Sequence, residues 1–302
     1  MQTSLLPALT RVLSSVDALR NLRALYALMA TFCLGGLMLA SAQAALLRDQ
    51  TLSGTAWLAA ALVVTVLGVN ATGLMLMDQA RGQPVRDPQD ALADALHATP
   101  RVLLALAACV LLGSAVVAGL AALLWATRWP GVGPALLAVV LPLTVVLLGS
   151  LALVVAVLVG PLTGPAVWAG QSSRAVLAFL RTQLRRKLPE TALLMGGVYL
   201  LTALTTAAVS FIVLSGARLT AGLAILGAGV ELPAAQLLAG VLGLGPRAMA
   251  ASGAAPDGSL GTAALAGGGV VFALALVLPT LVWLRGCCAV YLALNPPAGD
   301  AP

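Results

Sequence analysis

The stretch MDQARGQPVRDPQDALADALHATP, residues 77–100, holds four of the chain's ten acidic residues, Asp78, Asp87, Asp90 and Asp94, and its only histidine, His97. Carboxylates beside an imidazole suit a metal site or general acid/base catalysis. A metal site needs several ligands converging on one point. Asp90, Asp94 and His97 share one helix face, but the chain offers no second histidine and no CxxC pair to complete a set. The same residues have a structural explanation. Asp87 is a good N-cap, Pro88 suits the first helical position, and Asp90 falls near the helix's positive end. His97 can meet Asp94 three residues back and Arg101 four residues on. The expectation is a solvated helix face, with Leu92, Ala95, Leu96 and Thr99 on the weakly apolar side. No catalytic, cofactor-binding or metal residue is expected, and no cofactor.

The elements that carry this stretch follow from composition. The 302 residues are 61% hydrophobic and only 9% charged, with a mean hydropathy of +1.04. Soluble domains are about 25% charged. So few charges could not cover a soluble core of this size, whereas a polytopic membrane protein has lipid as its solvent. The net charge of +6 is not a nucleic-acid signal, because no recognition helix, zinc finger or clustered aromatics accompany it. Fifteen arginines against one lysine, in a chain rich in Ala, Leu, Val and Gly, suggest a GC-rich bacterial genome. The expected partners are the lipid bilayer and membrane proteins, including a second copy of this chain, but not nucleic acid.

Six apolar runs reach the roughly 20 residues that a spanning helix requires: about 24–47, 55–77, 102–127, 134–159, 191–215, and a sixth within 260–294. With the N-terminus in the cytoplasm, twelve Arg and Lys fall inside and four, Arg48, Arg128, Arg218 and Arg247, fall outside. The positive-inside rule then places both termini in the cytoplasm of a bacterial inner membrane. Ala42-Gln43-Ala44 has the form of a signal-peptidase site. The apolar run before it is longer than the roughly 7–15 residues of a signal h-region, so an uncleaved first span is expected.

Amphipathic segments precede spans one, three and five. Leu9, Val12, Leu13 and Val16 form a stripe opposite Arg11, Ser14 and Ser15. Before span five, Ser172 or Ser173 can cap a helix in which Leu177, Leu180, Leu184 and Leu188 oppose Arg174, Arg181 and Arg185, with Pro189 marking its end. Such basic amphipathic helices suit the cytoplasmic interface. With the helix near residue 88 they recur every 80–85 residues. The chain is thus expected to be all-α, a polytopic membrane helix bundle of one integral domain. Three hairpin repeats, 1–80, 81–165 and 166–295, precede a short tail, 296–302. Gly35-Gly36, Gly113-Ser114 and Gly196-Gly197 offer close helix approach after each amphipathic segment. Residues 216–259 form the long outer loop, as a re-entrant hairpin or two surface helices, and the glycines of 264–269 loosen the start of the sixth helix.

The first five runs carry no charge. Their polar residues include Asn70, Thr144, Ser150, Thr202, Thr205, Thr206 and Ser210, and the hydroxyls can bond their own helix. Asn70 is the best candidate for an interhelical hydrogen bond. Pro142 and Pro279 are expected to kink their helices. A sixth span over 264–284 places Arg285 at the inner interface and avoids the roughly 2.5–3.5 kcal/mol of a charge within the membrane; a span over 270–293 would bury it. Cys287 and Cys288 then lie beside the cytoplasmic face, where acylation is one option. No Walker loop, GxSxG, HExxH or GxGxxG is present.

The stretch GPLTGPAVWAGQSSRAVLAFLRTQLRRKLPE, residues 160–190, combines a small/Pro turn, a Ser-basic-Ala helix start and a basic patch before a span. In this order of elements the chain resembles bacterial six-helix inner-membrane proteins akin to the membrane domain attached to some glycerophosphodiester phosphodiesterases. The resemblance covers most of the topology. It implies six helices and transfers no functional residue, since nothing in these residues corresponds to the attached phosphodiesterase domain. The function expected is non-enzymatic, as a scaffold or accessory subunit. The alternative is a permease or lipid-handling protein with an uncharged pathway, for which a cavity shared by Asn70, Thr144 and the Thr202/Thr205/Thr206 group would speak.

Overall fold

The computed structural model describes residues 10, 12–129, 131, 133–228, 240–243 and 258–295. The described residues form eight α-helices and no strand. They are α1 (Leu22–Leu47), α2 (Thr51–Ala80), α3 (Pro88–Ala126), α4 (Gly133–Val154), α5 (Gly160–Trp168), α6 (Ser173–Arg186), α7 (Leu188–Ala228) and α8 (Gly258–Leu294). A π-helical turn, Val155–Val159, joins α4 to α5, and a 3-10 helix, Ser14–Arg20, precedes α1. Six segments are long and apolar enough to cross a membrane: Leu22–Leu46, Thr51–Ala80, Pro88–Ala126, Gly133–Trp168, Leu188–Thr220 and Gly267–Leu294. The chain is an all-α, multi-pass bundle.

The three amphipathic segments take three different forms. In the first, Val12, Ser15 and Ala18 are buried while Leu13 and Val16 are exposed. The 3-10 helix has three residues per turn, so i and i+3 share a face, and the stripe expected from an α-period does not form. Ser15, expected on the polar side, is buried and donates to Val12 O; Leu9 and Arg11 lie outside the described residues. The second segment does not end before its span. α3 runs 39 residues through Pro100, about 58 Å at 1.5 Å per residue, roughly twice the hydrocarbon thickness of a bilayer. Its buried face is Ala91, Ala95, Ala98, Thr99, Val102 and Ala105, while Leu92 and Leu96 are exposed. The small side chains face the neighbouring helices because they let backbones approach. The third is a separate helix, as expected. Ser172 caps α6 by accepting from Ala175 N–H, and the chain breaks at Lys187. Val176, Leu180 and Gln183 are buried, whereas Leu184 is exposed.

Further differences concern where helices stop. GPLTGP is not a turn: Gly160, Pro161, Gly164 and Pro165 all lie in α5. Residues 216–228 of the expected outer loop continue α7. Apart from 240–243 and 258–259, the rest of that loop lies outside the described residues. The glycine-rich stretch 264–269 is helical, and α8 does not end at 284 but continues to Leu294. Of the three small-residue patches, Gly35 makes the close approach: a Cβ there would come 2.7 Å from Thr65 Oγ1. Around Gly36 and Gly196 there is open space. Gly68 makes the tighter α1–α2 contact, where a Cβ would lie 2.0 Å from Thr31 Oγ1.

The core is concentrated at one end, which also carries most of the cations and is called the basic end below. There the last turns of α2 and α8 meet the 3-10 helix, the start of α1, α5 and α6. Leu281, Val282, Cys287, Cys288, Val290 and Tyr291 are all buried. Towards the opposite end, α3, α4 and α7 expose wide apolar faces, as lipid-facing spans do.

Candidate functional site

At the basic end the acidic cluster is held by arginines. α2 ends at Ala80, and Gly82, in the left-handed region at φ +69°, turns the chain into α3. The return places Arg86 beside Asp78. Arg86 Nε donates to Asp78 Oδ2 at 2.6 Å and Nη2 to Asp78 Oδ1 at 2.7 Å, a bidentate pair. Arg86 Nη1 donates to Asp94 Oδ2 at 2.7 Å. The hydrogen bond to Asp78 raises the Arg86 pKa above its ordinary value, against the cost of burial, so the cation stays charged across the ordinary pH range.

Asp87 stands at the N-cap position of α3 with Pro88 next to it, yet its side chain does not cap the helix. Its carboxylate instead pairs with Arg23 of α1, Nη1 to Oδ1 at 2.8 Å. The same guanidinium group donates to Val85 O at 3.0 Å. The ion pair links α1 to the 81–87 turn in place of a local cap. His97 does not meet Asp94. Its Nδ1 lies 3.1 Å from Ala93 O on an exposed surface. The structure therefore brings Asp78 and Asp94 together through Arg86, sends Asp87 to Arg23, and leaves Asp90 and His97 exposed.

Further ties close this end. Asn21 Oδ1 accepts from Ala24 N–H, while its amide donates to Gln79 Oε1 at 3.2 Å. Gln79 in turn donates to Asp17 O at 3.1 Å. Arg81 donates to Ala169 O at 3.1 Å, and Ser173 Oγ to Arg101 O at 3.1 Å. Arg285, expected at the edge of a span ending at 284, lies inside continuous α8 with 9% of its surface exposed. Its Nε has no hydrogen-bond partner among the described residues. Cys287 and Cys288 are buried rather than beside an open face.

Deeper along the spans lies a second arrangement, centred on Asn70. Its Nδ2 donates to Val66 O at 2.9 Å and to Thr99 Oγ1 at 3.2 Å, and its Oδ1 accepts from Trp168 Nε1 at 2.9 Å. One amide thus joins α2, α3 and α5, bearing out the interhelical role expected for Asn70. The Trp168 indole fits a slot made by two glycines. A Cβ on Gly73 would lie 2.4 Å from the ring, and one on Gly164 2.9 Å.

This node forms the floor of a cavity of about 260 Å³ between α2, α3, α5 and α8. Asn70, Val102, Thr163, Trp168, Leu284 and Cys287 line its buried part, and Thr65, Val66, Leu106, Gly160 and Trp283 its half-buried or exposed rim. The π-turn shapes the wall. Gly160 N–H bonds Val155 O with the five-residue offset of a π-helix, and Pro161, one residue on, has no N–H to offer Ala156 O. The Tyr199 hydroxyl from α7 donates to that carbonyl instead, at 2.9 Å. The widened turn also relieves the clash a proline ring makes with the preceding turn.

The polar residues whose sharing of one cavity would speak for a permease lie apart. Thr202 and Thr206 line a shallower groove of about 530 Å³ with Tyr199 and Trp283. Thr144 is buried and donates to Val140 O. Thr205 and Thr206 likewise bond their own helix. Trp168, Thr99 and Thr163 were not legible as site residues. The available signal was a tryptophan four residues after a glycine, in GPLTGPAVW, where sequence suggests a turn. No family model, curated protein or solved structure matches the chain.

Proposed function

We propose that this protein is a non-enzymatic scaffold or accessory subunit of a bacterial inner membrane, with both termini in the cytoplasm. The observation that carries this reading is the contrast between its two ends. At the basic end, Asp78, Asp87 and Asp94 are paired with Arg86 and Arg23 and tie α1, α2 and α3 into one unit. Towards the opposite end, α3, α4 and α7 present apolar side chains such as Leu111, Val145 and Ile212. A rigid base that holds exposed helix faces in fixed directions suits a subunit that binds other membrane helices.

The test is crosslinking in native membranes, followed by purification in mild detergent. A stoichiometric membrane-protein partner is expected, released when Leu111 and Val145 are both changed to Trp. A chain recovered free of any partner after crosslinking overturns the reading. Reporter fusions after Gln83 and Arg186 should report the cytoplasm, and those after Asp49 and Trp129 the outside, following the charge asymmetry; the reverse pattern overturns the orientation.

A further inference from the structure

We propose that the cavity above Asn70 and Trp168 is a binding site for one acyl chain of a membrane lipid, entered from the bilayer. The inference is independent of the scaffold reading. Its first support is direction. On α2 and α3 the buried lining residue lies nearer the basic end and the half-buried one away from it, Asn70 against Val66 and Val102 against Leu106; on α5 the buried Trp168 lies at the basic end and the exposed Gly160 at the far end. The cavity is therefore closed towards the basic end by the Asn70–Trp168 node and open towards the middle of the spans. What surrounds that opening in a membrane is hydrocarbon.

The second support is the chemistry of the wall. Thr65 donates to Ala61 O and Thr163 to Val159 O. Both amide hydrogens of Asn70 are engaged, and its carbonyl accepts the Trp168 N–H. These polar side chains have met their needs within the protein. A bound water requires two to four polar partners, and an apolar cavity stays dry. The occupant that fits makes dispersion contacts and no hydrogen bonds, as an alkyl chain does.

Size and rigidity complete the case. A cavity of roughly 150 Å³ accepts benzene. At about 260 Å³ this one has room for a longer hydrocarbon segment. It is held open by an indole fixed between Gly73 and Gly164 and by the π-turn pinned through Tyr199.

The test uses the full chain in nanodiscs of phosphatidylglycerol and phosphatidylethanolamine, doped with a phospholipid carrying a diazirine midway along one acyl tail. After irradiation, peptide mapping should place the strongest adducts on residues 65–70, 102–106 and 160–168, above those on the exposed Val145–Val146 face of α4. Val66→Trp and Leu106→Trp, which fill the mouth from opposite walls, should each reduce labelling of 160–168 by about tenfold or more and leave Val145 and Val146 unchanged. Circular dichroism and gel filtration identify a variant that remains folded, and either one suffices. Labelling of 160–168 no stronger than that of α4, or undiminished in a folded variant, overturns the site and leaves ordinary boundary lipid. A free diazirine alkane that labels the cavity where the phospholipid tail does not overturns the lipid as occupant.

Discussion

Residues 77–100 and residues 160–168 are opposites. The first holds four carboxylates, two arginines and the single histidine, and looks like chemistry. In the structure its charges are mainly mechanical: Arg86 clamps α2 to α3, and Asp87 fastens the turn between them to α1. The second, GPLTGPAVW, has no titratable group and resembles a connector. It forms the helix that seats Trp168, shapes the cavity and meets α2 through Asn70. Residue type alone does not show which of the two segments borders a cavity. A carboxylate beside a guanidinium is satisfied and therefore quiet, whereas glycines and prolines that remove side chains and N–H groups leave space between helices.

The comparison breaks most visibly at Asp78. Its side chain is 7% exposed and that of Arg86 is 29% exposed. Asp78→Ala leaves the half-buried guanidinium group with only the exposed Asp94, so the loss should fall between roughly 1 kcal/mol, as for an exposed pair, and about 3 kcal/mol, as for a fully buried one. Thermal unfolding in detergent should show a marked drop. A change below about 0.5 kcal/mol, the size of an ordinary surface substitution, would mean that the clamp does not hold the hairpin.

The quiet segment is tested next. Gly73→Ala places a methyl group against the Trp168 ring, which must shift or leave its slot. Overpacking of this kind costs roughly 1–3 kcal/mol. The substitution should lower stability and alter Trp168 emission, read in a variant whose other tryptophans are replaced by Phe. Unchanged stability and emission would show that the indole is not confined between the glycines.

The smallest effects separate two neighbours on α3. Asp94 is 59% exposed and pairs with Arg86. Asp94→Asn should therefore cost about 0.2–1 kcal/mol, as exposed ion pairs do, and the loss should shrink in high salt. His97 has no ion pair among the described residues, so His97→Gln should stay within about 0.5 kcal/mol. A larger loss at His97 than at Asp94 would reverse the ranking the structure gives them.

Much of the architecture was legible because the signals behind it are local. Length and apolarity of a run decide whether a helix can span, and Ser172 caps α6 through the N–H of Ala175, three residues on. Asn70 stood out because an amide inside an apolar run must find partners. Other features were out of reach. The sequence could say that Arg86 is basic and Asp87 a good cap, but not that a turn through Gly82 would carry one back to Asp78 and the other to Arg23.

What the sequence determined by itself was therefore the solvent and the scaffold: six apolar helices, their approximate limits, and the segregation of cations towards one end. Which faces are buried, which charges neutralise one another, and where space remains depend on how the helices pack. Ala91 and Ala95 are buried in place of Leu92 and Leu96 because neighbouring backbones come close, and Arg285 is enclosed because the last turns of α8 pack among the 3-10 helix, α1 and α2. Within the span the same choice falls on Ala105, buried while Leu103 and Leu104 are exposed; in lipid both an alanine and a leucine face are soluble, so hydrophobicity does not choose between them there. The choice rests on shape and on interhelical hydrogen bonds, which exist only once the helices have met.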